Sequence, residues 1–286
     1  MSAAASRCLV FLFVLLLGFA GHRPLQAQTL YFAPLPMEQP EEVVKQFKPM
    51  LDYLEKRLGT KIEIHYSTSY AEILERFRTG QLDLAYLGPL PYVSLRDNYP
   101  QAEPLVHFLE KNGQATYSCA LISAGEKLAR PLRGKTFALT QPLSTCGFLA
   151  VDAMLRERGE KLENQRFRYL DKHDEVALAV ARGDFDFGGI KTAIALRYAH
   201  LGITILDETP PLPAFALIAN SRRIAPQRLQ QLRELLTGLD PKGNERKLLA
   251  GWGEQLRHGA IAARDADYDV VRRLRKQATI PQKGNF

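Results

Sequence analysis

Three short polar residues and a glycine, Ser144, Thr145, Cys146 and Gly147, stand directly in front of an apolar, helix-like run. A serine or threonine at this place can cap the helix by accepting a hydrogen bond from a free backbone N–H group. The same place can bind an anion, because N–H groups and hydroxyls converge where the helix dipole is positive. The sequence leaves both interpretations open, and neither requires a catalytic reaction.

Motifs of known catalytic chemistry are not found in the sequence. There is no G-x-S-x-G elbow and no H-E-x-x-H, and "RGKT" is not the end of a P-loop because Ala129 replaces the required first glycine. His173, Ser144 and an aspartate could be drawn as a triad, but nothing in the sequence orders them. No pair of histidines has the spacing of metal ligands. We therefore expect no enzyme, no cofactor and no metal site.

Only Cys119 and Cys146 follow the N-terminal segment. Two cysteines in an exported protein commonly form a disulfide. Here Cys119 stands in a strand-like run, and Cys146 stands in the polar loop formed by residues 144–147. These surroundings argue against a simple structural pair. The sequence thus favours two separate thiols and leaves the disulfide as an alternative.

The N-terminus has the pattern of a secretory signal peptide over residues 1–27. Arg7 is its charged start, residues 9–20 are its apolar centre, and a cleavage point follows Ala27. The apolar run is shorter than the roughly 20 residues of a membrane-spanning helix, so we expect a soluble exported protein. The net charge of +7 comes from scattered basic residues without interleaved aromatic residues, a pattern that does not indicate a nucleic-acid partner.

Strand-like and helix-like segments alternate along the rest of the chain. Residues 41–58 carry apolar side chains at helical spacing and end at Gly59, whereas "KIEIHY" alternates as a strand does. A second series of this kind begins at "YSCALIS", and the last quarter is helical. The rhythm predicts an α/β fold of mainly parallel sheets flanked by helices, and 286 residues suit two lobes.

Four segments in order resemble one known family: "STCGF", "KHDEVALAVARGDFDFG", "ETPPLPAF" and "ARDADYDVVRRL". They are similar to the periplasmic substrate-binding proteins of phosphonate, phosphite and phosphate ABC importers, over about residues 30 to 275. The resemblance implies the type II periplasmic binding protein fold, in which two lobes joined by a two-strand hinge close on the ligand. It implies lobe 1 at residues 28–117 plus 215–286 and lobe 2 at residues 118–214.

The resemblance also implies which residues hold the ligand. The family's polar loop matches residues 144–147, whose hydroxyls and amides would hold the oxyanion, and its pocket histidine matches His173. Two family tyrosines match Tyr70 and Tyr117, and a glycine turn matches Gly88 followed by proline. Such a set of short donors suits a tetrahedral phosphorus oxyanion.

The chain departs from the family pattern at the positions that bind an ammonium group. Members that take up aminoalkyl phosphonates hold the ligand's ammonium with two carboxylates, and the matching positions here are Ala193 and Phe215. Because a buried ammonium without a partner is costly, we expect a ligand without a positive tail.

The second departure is Cys146, which stands where the family usually has a second serine. Cys119, two residues after Tyr117, is placed to face the same cleft. Two thiols near an anion site resemble a branch of the family that senses arsenite and signals to a membrane histidine kinase, since thiolates select thiophilic centres.

The leading hypothesis is therefore a monomeric periplasmic receptor that captures a compact oxyanion for the permease of an ABC importer. The ligand would be phosphite, phosphate or a small alkyl phosphonate. The alternative is a thiol-assisted sensor of arsenite or another oxyanion, with Cys119 and Cys146 as ligands and a sensor histidine kinase as partner.

Overall fold

The computed structural model describes residues 29–125 and 134–286. The predicted signal peptide, residues 1–27, lies outside these residues. The strands are β1 (Leu30–Pro34), β2 (Ile62–Ile64), β3 (Leu84–Leu87), β4 (Ala102–Phe108), β5 (Thr116–Tyr117), β6 (Cys119–Ala124), β7 (Thr136–Leu139), β8 (Arg166–Tyr169), β9 (Phe187–Lys191), β10 (Ile203–Glu208), β11 (Leu212–Pro213), β12 (Ala216–Asn220) and β13 (Ala260–Ala262).

Helices occupy the connections between the strands. The α-helices are α1 (Pro40–Leu58), α2 (Tyr70–Arg78), α3 (Pro89–Arg96), α4 (Val151–Glu157), α5 (His173–Ala181), α6 (Thr192–Arg197), α7 (Pro226–Thr237), α8 (Arg246–Ala250) and α9 (Asp269–Gln277). A π-helical turn, Thr145–Ala150, precedes α4. Within the two described ranges, no helix is both long enough and apolar enough to cross a membrane.

The sequence signals at the ends of α1 explain where it begins and stops. Pro40 occupies the first turn, where its missing N–H is tolerated, and residues 41–42 are acidic as the helix dipole favours. Gly59 ends the helix in the left-handed region at φ 60°. The predicted apolar face is buried, and it consists of Val43, Phe47, Met50, Leu51, Leu54 and Leu58.

Two large sheets form the centres of the two lobes. The first has the strand order β13-β4-β12-β3-β1-β2 and the second β10-β6-β9-β7-β8. Both are mixed: β1 is parallel to β2 and β3, and β7 is parallel to β8 and β9, whereas β12 and β6 pair antiparallel with their neighbours. The α/β architecture is confirmed, but the expectation of mainly parallel sheets is wrong. The reason is that β12 and β6 enter their sheets from the other lobe and insert in the opposite direction.

A short ribbon connects the two lobes. β5 pairs antiparallel with β11, and Tyr117 lies opposite Leu212. The chain leaves the first sheet after β4 and returns to it at β12, so both passages between the sheets run through this ribbon. The two-strand hinge is confirmed, while the numerical boundaries of the lobes stay a prediction.

The end of the chain packs on the second sheet. The N–H of Asn285 donates to the carbonyl of Phe167 at 3.0 Å, and the N–H of Phe167 donates to Asn285 Oδ1 at 2.8 Å. The guanidinium groups of Arg166 and Arg168 lie 4.7 and 4.9 Å from the ring centre of Phe286. These final residues, which the resemblance assigns to lobe 1, therefore contact β8, one of the two outer strands of the second sheet.

Candidate functional site

The polar loop begins the π-helical turn. Ser144 is its N-cap, because Ser144 Oγ accepts a hydrogen bond from the N–H of Gly147 at 2.9 Å. The N–H of Leu149 donates to the Ser144 carbonyl at 3.2 Å, a five-residue spacing that widens the turn. The capping interpretation is confirmed, and π-turns of this kind are frequent at functional sites.

Two glycines allow the loop to pack tightly on the second sheet. A Cβ added to Gly147 would lie 1.9 Å from Thr140 Oγ1, and one added to Gly189 would lie 2.3 Å from a methyl carbon of Val151. Neither glycine lines the cavity described below. Gly147 therefore positions the loop by close packing, and its N–H is engaged by Ser144. Gly189, in the middle of β9, was not singled out from the sequence.

A disulfide joins the two cysteines. The Cα atoms of Cys119 and Cys146 lie 4.9 Å apart, and their sulfur atoms are bonded. The expectation of two separate thiols is therefore wrong, because β6 begins directly beside the start of the π-turn and brings Cys119 to the loop. Of the two residues, Cys146 lines the cavity and Cys119 does not. The sequence signal was available: two cysteines follow a predicted secretory signal peptide.

A cavity of about 260 Å³ lies between the lobes. Tyr70 and Gly88 line it from the first lobe, and Phe215 lies on its wall where β12 begins. Five further predicted site residues also line the cavity: Ser144, Thr145, Cys146, His173 and Tyr117. The structure thus brings together seven of the nine predicted positions, all but Gly147 and Cys119.

Several helices begin at this cavity. The first residues of α2 and α5, Tyr70 and His173, line it, and so do Gly88 and Lys191, the N-caps of α3 and α6. The π-turn adds Thr145. Because each helix start carries a partial positive charge, the cavity is electrically suited to an anion, although the sequence identified only the start of the π-turn as such.

Hydrogen bonds across the cleft involve the polar loop and the residues before it. The N–H of Leu90 donates to Thr145 Oγ1 at 3.0 Å, and the N–H of Tyr70 donates to Gln141 Oε1 at 2.9 Å. The hydroxyls of Ser144 and Thr145 each accept from a backbone N–H. Accepting a hydrogen bond does not use a hydroxyl's own proton, so these two contacts leave both hydroxyls able to donate to a ligand.

The two tyrosines supply neutral donors. Burial raises the pKa of Tyr70 and of Tyr117, and for Tyr117 it outweighs the opposite effect of the Thr145 hydroxyl. Both phenols therefore keep their protons. Tyr117 Oη is buried and makes no hydrogen bond of normal geometry within residues 29–125 and 134–286, although the Thr145 hydroxyl is near enough to affect its pKa. A buried phenol in this state can still donate its proton to a ligand.

His173 is a neutral donor with a defined tautomer. The backbone N–H of Lys191 donates to His173 Nδ1 at 3.3 Å, so the ring proton lies on Nε2. Burial, together with the positive charges of Lys191 and Arg197, lowers the pKa of His173 to about 3. The structure therefore makes His173 a single neutral N–H donor.

A His173→Asn variant is expected to be less sensitive to acid than the wild type. Between pH 6.5 and 3 the unfolded chain binds a proton at His173 and the folded protein does not. His173 alone therefore lowers the unfolding free energy of the wild type by about 1.4 kcal/mol per pH unit as the pH falls below 6.5. Urea unfolding at pH 7 and pH 5 should show a loss about 2 kcal/mol larger for the wild type than for the variant. Asn keeps an acceptor for the Lys191 N–H, so the variant removes the titrating group and retains this hydrogen bond. Equal losses of stability in the two proteins would contradict a buried, neutral His173.

Charged residues on the cavity wall were missed by sequence reasoning. Lys191 Nζ lies 2.6 Å from Glu110 Oε1, and Arg197 Nη2 lies 3.2 Å from Glu38 Oε1. A lysine at a strand end and a glutamate in a connection carry no sequence signal for a shared site. Ala193 and Phe215, the positions expected to lack a carboxylate, do line the cavity. In the described part of the chain no group of three or more His, Cys, Asp or Glu side chains is arranged to hold a metal ion.

The fold and the cavity together define a class: a two-lobed α/β binding protein with a hinge and a cleft of neutral donors. A family model described as "ABC transporter, phosphonate, periplasmic substrate-binding protein" matches residues 32–268. The chain belongs to this family.

Two curated relatives carry the same kind of name. The chain is 31% identical over 174 residues to the phosphate-import protein PhnD of Mycolicibacterium smegmatis, which covers 56% of this chain and 54% of that protein. It is 25% identical over 175 residues to the phosphonates-binding periplasmic protein of Escherichia coli, covering 58% and 51%. The matched part thus spans about half the length of each relative.

A solved structure supports the same fold. PhnD1 from Prochlorococcus marinus, in complex with methylphosphonate, has a TM-score of 0.75 and 17% sequence identity to this chain. The likeness covers 88% of this chain and 98% of that one. At this identity it establishes the type II periplasmic binding protein fold, and the ligand of PhnD1 is a fact about that protein.

Proposed function

We propose that this protein captures a phosphorus oxyanion in the periplasm and delivers it to the membrane permease of an ABC importer. The ligand would be phosphite, phosphate or a small alkyl phosphonate. The observation that carries the proposal is the convergence of neutral donors on one cavity between the lobes, including the buried phenol of Tyr117.

The donor set favours an oxyanion over a neutral solute. The hydroxyls of Ser144, Thr145, Tyr70 and Tyr117 and the Nε2–H of His173 supply donors without adding a charge that would need its own partner. Each hydrogen bond to a charged oxygen contributes about 1.5–3 kcal/mol. Helix starts add a favourable field. A tetrahedral anion can accept several of these bonds at once.

Binding and closure would be coupled through the hinge. The lobes proposed here are residues 28–117 plus 215–286 and residues 118–214, connected by β5 and β11. A ligand that contacts Tyr70 on one side and Thr145 on the other stabilises the closed form through those contacts. The permease would bind the closed form. The receptor would be a monomer, exported by a signal peptide that is cleaved near Ala27.

Neither alternative function gains support. A thiol-assisted arsenite sensor needs the thiols of Cys119 and Cys146, and these are consumed in the disulfide. The family is one of transport proteins, and we propose that the protein performs no catalysis.

Isothermal titration calorimetry tests the proposal. The protein is unfolded, dialysed to remove any bound ligand and refolded, and then titrated with phosphite, phosphate and methylphosphonate. At least one of these should bind with a Kd well below millimolar. If none binds below millimolar while circular dichroism shows a folded protein, the phosphorus ligand is wrong.

A further inference from the structure

The cavity contains a lysine that the proposed function does not use. Lys191 is the last residue of β9, and its side chain is 11% exposed. Its Nζ lies 2.6 Å from Glu110 Oε1 and 5.2 and 5.6 Å from the ring centres of Tyr117 and Phe215. All four residues line the cavity.

A carboxylate beside two aromatic faces is the arrangement that binds an organic ammonium ion. In this protein the arrangement already holds one, the ε-ammonium of Lys191. We infer that Lys191 fills an ammonium subsite from within and thereby excludes ligands whose phosphorus group carries an aminoalkyl tail. The inference rests on the proposed function and names the residue by which the same cavity selects its ligand.

A second ammonium would find no free carboxylate at this subsite. It would have to share Glu110 with Lys191, which would place two like charges close together in a poorly solvated site. Ala193 and Phe215 add no charge.

The other carboxylates on the cavity wall have cationic partners. Glu38 pairs with Arg197 and Glu254 pairs with Arg257, and His258 Nε2 also lies 3.2 Å from Glu254 Oε1. A ligand with hydrogen, methyl or a neutral alkyl chain on phosphorus needs no such partner. The cavity therefore separates ligands by the charge of the substituent, and its volume of about 260 Å³ leaves room for a short alkyl chain.

Two isosteric ligands test this selection. Propylphosphonate and 2-aminoethylphosphonate have the same number of heavy atoms and differ at the chain end, a methyl group against an ammonium. Calorimetry on the refolded wild type, with methylphosphonate as the reference ligand, should give an affinity for propylphosphonate at least 50-fold above that for 2-aminoethylphosphonate.

Variants at the subsite should weaken the selection. Lys191→Ala frees Glu110, so it should tighten 2-aminoethylphosphonate binding at least tenfold and lower the ratio of the two affinities by at least the same factor. Lys191→Met removes the charge but keeps the length, and it should lower the ratio less. Adding Glu110→Gln to Lys191→Ala should abolish the gain. A merely structural role of Lys191 would weaken all three ligands alike and leave the ratio unchanged.

The outcomes separate the two proposals. Binding of methylphosphonate with no preference between the isosteres in the wild type would overturn the inference and leave the proposed function standing, even if the variants failed to fold. An unchanged ratio in a folded Lys191→Ala protein would overturn it as well. Failure of every phosphorus ligand, methylphosphonate included, would remove the proposed function and the inference together.

Discussion

A Thr145→Val variant is expected to bind methylphosphonate roughly 10- to 100-fold more weakly than the wild type. Valine keeps the shape of the side chain and removes the hydroxyl, which eliminates one hydrogen bond to a charged oxygen, worth about 1.5–3 kcal/mol. It also leaves the N–H of Leu90 without the acceptor that Thr145 Oγ1 provides across the cleft. Titration calorimetry of the refolded variant measures the change directly.

Thr140→Val is the matched control for this experiment. Thr140 is buried beside the same loop, does not line the cavity, and its hydroxyl has no hydrogen-bond partner within residues 29–125 and 134–286. The same chemical change should therefore leave ligand affinity within a factor of about three, because no bond to the ligand is lost. Equal affinities of Thr145→Val and Thr140→Val would mean that Thr145 does not contact the ligand.

Removal of the disulfide is expected to destabilise the folded protein by roughly 3–4 kcal/mol. The bond closes a loop between residues 27 positions apart, and its loss frees the unfolded chain. For a protein of this size the melting temperature should fall by about 10 °C. Because Cys146 lies next to Thr145 in the polar loop, ligand affinity should fall as well. Melting of the wild type with and without a reducing agent, and of a Cys119→Ala, Cys146→Ala protein, measures the effect.

The double variant also provides the control. Reductant should lower the melting temperature of the wild type and have no effect on the double variant. If reductant leaves the wild type unchanged although thiol titration shows that the bond is broken, the disulfide does not stabilise the fold. An increase in melting temperature with arsenite in the reduced wild type would revive the sensor alternative.

Local chemistry explains why the polar loop could be predicted from the sequence. A Ser-Thr pair before an apolar run identifies a helix start through one short hydrogen bond, and Ser144 makes that bond to Gly147. The alternation of elements predicted the α/β class for the same reason. Tyr70 and Tyr117 could be placed only through the resemblance to the family, because nothing near them in the sequence distinguishes a ligand contact from a core residue.

Features that depend on pairing between distant segments could not be predicted. Lys191 and Glu110 are 81 positions apart and meet only because the chain crosses between the sheets. The disulfide depends on β6 starting beside the π-turn, which periodicity does not reveal. The neutral state of His173 follows from complete burial and from two nearby cations. The mixed pairing of the sheets was missed because a strand's direction is set by its entry path.

The contacts of residues 285–286 with β8 have a consequence for the edge of the second sheet. β8 is an outer strand of the second sheet, and a free outer strand offers its N–H and C=O groups to any other extended chain. Asn285 satisfies both groups of Phe167, and its side-chain amide donates to the carbonyl of Gln165 at 2.7 Å. Asn285 thus occupies part of this edge, and replacing it with alanine would remove its side-chain bonds and leave those backbone groups free to pair with another extended chain.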